Sequence, residues 1–517
     1  MSDADSFNLC EYFLSPSRLA TLGKDPAIIY RGESLTYADL RRLVDVWAAR
    51  LVRGGIGEGD RVALALYDSP IFVAAFLACA SVGAISVPVN TSIPAEDVRF
   101  IVRDSGARLV ICESELRERL ASLEPTAEGS PALTFVDARR WSRDEIGEGD
   151  GPTACAPTSS DAPAFMLYTS GSTGTPKGAL HRHAAPRDTA LTYGASVLRL
   201  TPADRVYSSS RLFFAYGLGN SLTFPLAAGA AVILDCERPT PERIAQVFAG
   251  RAPTAFFGVP AVYRALLDYD EGAPLDTSSL RLCVSAGESL PGQIFEDWRE
   301  RFGLEILDGI GSTEMLHIFI SNRPGDARAG SSGRVVEGYG ARLLDDAGVA
   351  VGADAPGNLW VKGASGFAGY WNRADLTAAT IQEGWVKTGD VYLRDGEGFY
   401  YHVGRSDDCF KVSGLWVSPV EVENVLVTHP AVVEAAVVAA TGADGLATAR
   451  AFVVIRPEED AGQVSAELIA FSRARLPRYK APSQVVVVES LPRTVTGKVQ
   501  RFKLRQRGVN TTSEGQA

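Results

Sequence analysis

The sequence predicts an α/β protein with a large N-terminal domain built on parallel sheets, a small β subdomain, and a smaller α+β domain at the C-terminus. Three observations predict it. Helical patterns alternate with short apolar, β-rich runs from about residue 35 to beyond residue 300, the signature of a parallel sheet covered on both faces. After about residue 330 that alternation gives way to short β-prone runs separated by Gly-Asp turns, the pattern of antiparallel strands. Beyond "VGRSDDCFKVSG" (403–414) the order becomes helix, strand, strand, helix, strand. At 517 residues the chain exceeds one ordinary core. We divide it into domains of residues 1–406 and 407–517.

The elements follow in order. "LTYADLRRLVDVWAARLVRGG" opens with Thr36 as a helix cap, carries apolar residues at helical spacing, and stops at Gly54–Gly55. "RVALAL" is a strand, 71–83 a helix, "AISVPV" a strand, "AEDVRFIVRDSG" a helix and "ARLVIC" a strand. Residues 142–162 are rich in Gly, Pro and Ser and form a connection to the strand "AFMLY". "AAVILD", "TAFFGVP" and "LRLCVSAGE" continue the sheet. The last domain holds helix "SPVEVENVLVTH", strands "VVEAAVVAA" and "ARAFVVIR", helix "SAELIAFSRARL" and strand "SQVVVVESLP". The tail "GVNTTSEGQA" is expected to be disordered.

Composition removes several function classes. The net charge of −11 argues against a general nucleic-acid binder. The seven cysteines are scattered with no CxxC pair, which is neither a disulfide framework nor a zinc site. "HRH" at 181–183 has no acidic or cysteine partner at ligand spacing. The N-terminus shows no secretory signal, and the apolar stretch 71–87 divides more naturally into a buried helix and a strand than into a membrane span. A cytoplasmic protein without nucleic-acid or membrane partners is expected, and a homodimer is compatible with this.

The stretch "YTSGSTGTPKGALH" (168–181) cannot pack a core. Its glycines permit positive φ and let several N–H groups converge on one anion, its hydroxyls add donors, and Lys177 adds charge. That is the physics of a phosphate cradle. It is not the P-loop, because the lysine precedes its glycine and no Ser or Thr follows to hold a metal.

The full string resembles the signature loop of the adenylate-forming enzymes: acyl- and aryl-CoA ligases, peptide-synthetase adenylation domains and luciferases. "GSTE" (311–314), "GWVKTGD" (384–390), "GRSDD" (404–408) and "PRTVTGKVQR" (492–501) match further motifs of that superfamily in the expected order. The resemblance implies ATP, Mg²⁺ and coenzyme A as cofactor and co-substrates, with a mobile C-terminal domain. Thr169, Ser170, Gly171, Ser172, Thr173, Gly174 and Lys177 are then expected around the β- and γ-phosphates. Lys498 would bridge the substrate carboxylate and the α-phosphate, Thr313 would bond phosphate, and Glu314 would hold the metal. Asp390 and Arg405 would reach the ribose, Ser285, Ala286, Gly287 and Glu288 would line the adenine pocket, and Asp308 and Gly309 would belong to the same nucleotide site. Asp407 matches the interdomain hinge. Lys411, Ser413, Gly414 and Trp416 are expected near the pantetheine of CoA, although Trp416 could instead pack on its own domain.

Two further stretches, 211–230 and 308–325, resemble the benzoate-CoA ligase branch, through "LFFAYGLGN" and "GSTEMLHIF". A flat aryl ring needs a slot with apolar walls and few polar groups. By position, that slot would involve Phe214, Ala215, Tyr216, Gly217, Ile310, Gly311, His317 and Ile318. The resemblance therefore implies an AMP-forming aryl-CoA ligase for benzoate or a simple substituted benzoate, with 2-aminobenzoate (anthranilate) a rival. Two other readings stand beside it: a stand-alone adenylating enzyme charging a carrier-protein thiol in trans, and a non-catalytic homologue.

Overall fold

The computed structural model describes residues 6–120, 132–147, 154–170, 175–269, 275–412, 415–442, 447–456, 460–493 and 499–510. Two compact units divide the chain: Met1–Ala341 with Val361–Val386, and Arg342–Trp360 with Lys387–Ala517.

The first unit carries two large sheets. One runs Gly369–Tyr370, Pro176–Arg182, Pro163–Ser170, Ile85–Pro88, Arg61–Ala65, Leu109–Glu113, Ala132–Val136. The other runs Arg334–Val335, Ile318–Ser321, Ile306–Gly311, Leu282–Ser285, Ala255–Gly258, Arg205–Ser208, Ala231–Leu234, Pro26–Tyr30, Glu33–Thr36. In each a central run of strands pairs in parallel, and antiparallel strands flank it. This is the architecture the alternating pattern predicts.

The apolar stretch at 71–87 resolves into the helix Pro70–Ser81 and the strand Ile85–Pro88. Every residue of that helix is buried, as an all-round hydrophobic helix requires. Pro70 pre-sets its first turn and the Ser69 Oγ accepts the Phe72 N–H at 3.4 Å. No helix among the described residues is long and apolar enough to cross a membrane.

The helix Tyr37–Arg53 shows how local chemistry sets a boundary. Thr36 Oγ1 accepts the Asp39 N–H at 3.1 Å, and Asp39 Oδ2 accepts the Thr36 N–H at 3.0 Å, a full capping box. Burial raises the Asp39 carboxyl. The Thr36 N–H and the Arg143 and Arg42 guanidinium groups outweigh that and hold it at about 2. Thr36→Ala should cost about 1 kcal/mol by urea denaturation, with no change in the slope.

The second unit contains an antiparallel pair, Val432–Thr441 with Ala447–Ile455, joined in parallel by Gln484–Val487. The helices Pro419–Leu426 and Ala461–Arg473 bury Val422, Leu426, Val464 and Leu468 in its core. Here one expectation fails in part: the final helix runs Arg501–Asn510, so three residues of the supposed tail are helical. Arg501 at its start pairs with the half-buried Glu423 at 2.7 Å, and Leu504 is fully buried, so this end is tied down by packing that no local pattern announces. Residues 511–517 lie outside the described residues.

Candidate active site

The glycine-rich stretch joins two antiparallel strands. Strands Pro163–Ser170 and Pro176–Arg182 pair with Thr169 opposite Lys177 and Tyr168 opposite Gly178. The expected Gly171, Ser172, Thr173 and Gly174 lie outside the described residues. Lys177 sits near the start of the second strand with a carboxylate and a phenol. Its Nζ donates to Tyr370 Oη at 2.6 Å and lies 3.7 Å from Glu314 Oε1. Tyr370 Oη in turn donates to Glu314 Oε1. The Lys177 and Glu314 side chains are only 20% and 17% exposed. This brings a cation and a hard oxygen donor together at the base of the hairpin.

Tyr370 escapes sequence reasoning, because 193 residues separate it from Lys177. It is delivered by the short strand Gly369–Tyr370, which pairs with Pro176–Arg182 in the register Tyr370↔Ala179. Phe367 N–H donates to the Glu314 carbonyl at 2.8 Å, fixing the turn that carries the carboxylate.

A second group lies at the ends of the nine-stranded sheet. Ile306–Gly311 carries Asp308, Gly309, Ile310 and Gly311, and pairs antiparallel with Ile318–Ser321 across a bulge at Ile310/Gly311. A Cβ on Gly309 would meet Ile320 O at 2.8 Å, and one on Gly311 would meet His317 O at 2.6 Å. Leu316 in the intervening turn has φ of 67°, a left-handed conformation costly for a leucine, and it directly precedes His317. Backbone strain is thus concentrated where this side chain is aimed.

His317 is 3% exposed. Its Nε2 lies 3.1 Å from Asn220 Oδ1 and 3.3 Å from Tyr216 O, two acceptors, so Nε2 carries the hydrogen. Burial drives the imidazole down to about 3, keeping it neutral across physiological pH. The rings of Tyr193, Tyr216 and Phe224 surround it with centroids at 5.4, 5.5 and 4.6 Å. Tyr216 Oη is directed at Gly258 O and Val284 O at 3.2 and 3.3 Å. A Cβ on Gly217 would lie 2.0 Å from Arg211 O. Phe214 and Ala215 flank this turn partly buried, and Ile318 packs in the core beside Phe257 and Val284.

Tyr193 and Asn220 lie on π-helical segments, Ala190–Leu198 and Gly219–Thr223. Such widened turns are enriched at functional sites. Neither residue was among the expected pocket positions. Only the nearness of Asn220 to Tyr216 along the chain hinted at it.

Ser285 ends its strand opposite Asp308. Asp308 is buried, and desolvation pushes its carboxyl well up. Ser332 Oγ donates to its Oδ2 at 3.4 Å. Ala286 is buried, whereas Gly287, with φ of 93°, and Glu288 are exposed. Thr313 O accepts the Leu316 N–H at 3.1 Å, closing the turn.

In the second unit Asp390 and Arg405 are cross-strand partners 2.8 Å apart. Gly389 has φ of 76°, which favours glycine in "TGD", and a Cβ there would also lie 2.6 Å from Arg405 Nη2. Arg505 donates to Asp407 O at 3.3 Å and pairs with Asp408 at 3.2 Å. Lys411 pairs with Asp346 at 2.8 Å and sits 4.7 Å over the Trp416 ring. Ser413, Gly414 and Lys498 lie outside the described residues.

The profile of the AMP-binding enzyme family matches residues 17–371, and that of the AMP-binding enzyme C-terminal domain matches 421–498. The chain belongs to the AMP-binding enzyme family. Within it, a benzoate–CoA ligase of Thauera aromatica is 39% identical over 509 residues, covering 97% of this chain and 96% of the relative. The crystal structure of an anthranilate CoA ligase in complex with anthranoyl-AMP matches with a TM-score of 0.90 at 34% identity, over 98% and 99% of the two chains. A benzoate CoA ligase from Burkholderia xenovorans LB400 matches with a TM-score of 0.88 at 40% identity, over 96% and 100%. The predicted fold class and superfamily resemblance are both borne out.

Proposed function

We propose that the chain is an AMP-forming aryl-carboxylate–CoA ligase acting on benzoate or a simple substituted benzoate such as 2-aminobenzoate. The observation that carries the reading is the neutral His317 enclosed by Tyr193, Tyr216 and Phe224, a few residues from the Glu314–Tyr370–Lys177 cluster along the same turn. Flat rings and one uncharged polar group suit a planar aryl acid better than a flexible or doubly charged one. The similarity to benzoate and anthranilate ligases over nearly the whole chain supports the same class.

In the first half-reaction a carboxylate oxygen attacks the α-phosphorus of ATP. The new O–P bond forms as the bond to the bridging oxygen breaks, and pyrophosphate leaves. Two anions must approach, so cations decide the rate. A unit charge about 4 Å from another contributes roughly 4 kcal/mol at an effective dielectric near 20. Lys498 supplies that charge at the α-phosphate, with Lys177 in support at the leaving phosphates and Thr169 to Gly174 as donors around them. Asp390 and Arg405 bind the ribose, Thr313 a phosphate, and the segment Ser285–Glu288 the base, with Asp308 and Gly309 in the same nucleotide site.

Mg²⁺ fits this donor set, because the ion takes one or two carboxylates plus phosphate oxygens and Glu314 offers a partly exposed carboxylate beside Lys177. When bound it neutralises phosphate charge. In the second half-reaction the CoA thiol attacks the acyl carbon and AMP leaves. Movement about Asp407 exchanges the two steps, and Lys411, Ser413, Gly414 and Trp416 meet the pantetheine. The same reading makes the protein cytoplasmic, with small molecules as its partners.

The test is CoA-dependent AMP release across a panel of acids. Benzoate and 2-aminobenzoate should both turn over and differ by no more than about 10–200-fold, the range for one small substituent in an apolar pocket. Turnover of fatty acids with none of any aryl acid would sink the pocket assignment.

A further inference from the structure

Cys155 alone of the seven cysteines is not buried, and it packs against the core cluster that holds Cys10. The chain path explains the meeting. Asn8 caps the helix Leu9–Leu14 by accepting the Cys10 N–H at 2.9 Å, while its Nδ2 donates to Ala80 O and Ala156 O at 2.7 and 3.2 Å. Phe7 N–H donates to Thr158 O at 2.8 Å, Ser6 bridges Ser159 antiparallel, and Ala156 N–H donates to Ser81 O at 2.7 Å. Three distant segments are therefore knotted at one junction, with Cys10 and Cys155 inside it.

The surroundings are chemical as well as steric. Ser81 Oγ lies 3.4 Å from Cys155 Sγ. The buried Arg41 guanidinium, paired with Asp45 at 2.9 Å, puts positive charge beside the pair, and Asp45 partly opposes it. The neighbouring Cys10 thiol lowers the Cys155 thiol, burial opposes this, and Ser81 and Arg41 reinforce the lowering. Cys10 moves the other way, through its Cys155 neighbour and burial. Burial pushes up Cys79, Cys112, Cys236, Cys283 and Cys409. One partly exposed thiol with a lowered pKa thus lies beside one fully buried thiol, the pairing that peroxide-sensitive sites use.

We propose that Cys155 and Cys10 form a reversible oxidation site, in which Cys155 reacts with a hydroperoxide and Cys10 closes a disulfide. The Cys155 thiolate attacks one oxygen of hydrogen peroxide. An S–O bond forms, the O–O bond breaks, and the leaving hydroxide takes a proton to become water. The sulfur is oxidised by two electrons and the peroxide reduced by two. Cys10 then attacks the Cys155 sulfur, the S–S bond forms, the S–O bond breaks, and a second water leaves with the Cys10 proton. The bond would staple the N-terminal helix to the segment leading into strand Pro163–Ser170, at whose far end the glycine-rich stretch begins.

The full-length protein, reduced and then treated with hydrogen peroxide, should lose about 2 Da and yield a Cys10–Cys155 linked peptide that dithiothreitol reverses. Cys10→Ser should stop at a Cys155 sulfenic acid captured by dimedone, and Cys155→Ser should give neither product. In untreated wild type, iodoacetamide at pH 7 should label Cys155 about tenfold faster than any other cysteine. That measurement needs no variant to fold. Uniform slow labelling, or dimedone capture at a different cysteine, overturns the proposal.

Discussion

Lys498→Ala should lower aryl-adenylate formation from acid and ATP by about a thousandfold, while transfer from preformed aryl-adenylate to CoA stays within a few-fold of wild type. The asymmetry follows from where charge develops. In adenylation a carboxylate must approach a triphosphate, and the loss of one cation near 4 Å removes roughly 4 kcal/mol. Thiolysis instead expels AMP from a mixed anhydride, with no new anion driven against an old one. Pyrophosphate release in single turnover measures the first step, and AMP release from supplied aryl-adenylate plus CoA measures the second. Equal loss in both would refute the assignment of Lys498 to the α-phosphate. Lys177→Ala should have a smaller effect on the same step. Its charge already contacts Tyr370 and Glu314, so it is partly committed within the protein.

Much of the fold was legible because burial on two faces leaves continuous apolar runs. "IFVAAFLACAS" and "AAVIL" could be assigned from hydrophobicity and flanking breakers, and both became buried elements. The strand Pro176–Arg182 was not assigned, since Lys177, His181 and Arg182 blur its alternation. Its register is set by the partner strand and not by its own residues. His181 in that strand, set aside as a metal ligand, is instead stacked on Phe165 at 5.0 Å, where burial drives it down to about 3. The site shows the same division. Motif residues such as Glu314 and Asp390 were found because their neighbours in sequence carry the pattern. Tyr370 and Tyr193 were not, because long-range pairing and π-helical widening bring them in. Neither has a local signature.

Gly219→Ala should raise the KM for the aryl acid by about 10–100-fold while leaving the KM for ATP within a few-fold, an effect of one to three kcal/mol. A Cβ at this position would lie 2.2 Å from His317 Cδ2, 2.7 Å from Nε2 and 3.1 Å from Phe224 Cε2. The imidazole cannot yield without leaving Asn220 Oδ1 and Tyr216 O, its two acceptors. The helix backbone cannot yield easily either, because a Cβ on Gly217 would already strike Arg211 O at 2.0 Å. The methyl group therefore displaces His317 from its ring of Tyr193, Tyr216 and Phe224 while Lys177, Glu314 and Tyr370 keep their own contacts. Thermal melting of the variant separates this local effect from unfolding. Asn220→Leu tests the same point without adding bulk at Gly219, because it removes one acceptor and frees the ring. A folded Gly219→Ala enzyme with unchanged KM for benzoate and 2-aminobenzoate would place the acid away from His317. A rise confined to ortho-substituted acids would instead put the imidazole beside that edge of the ring, which makes His317 the residue that separates benzoate from anthranilate.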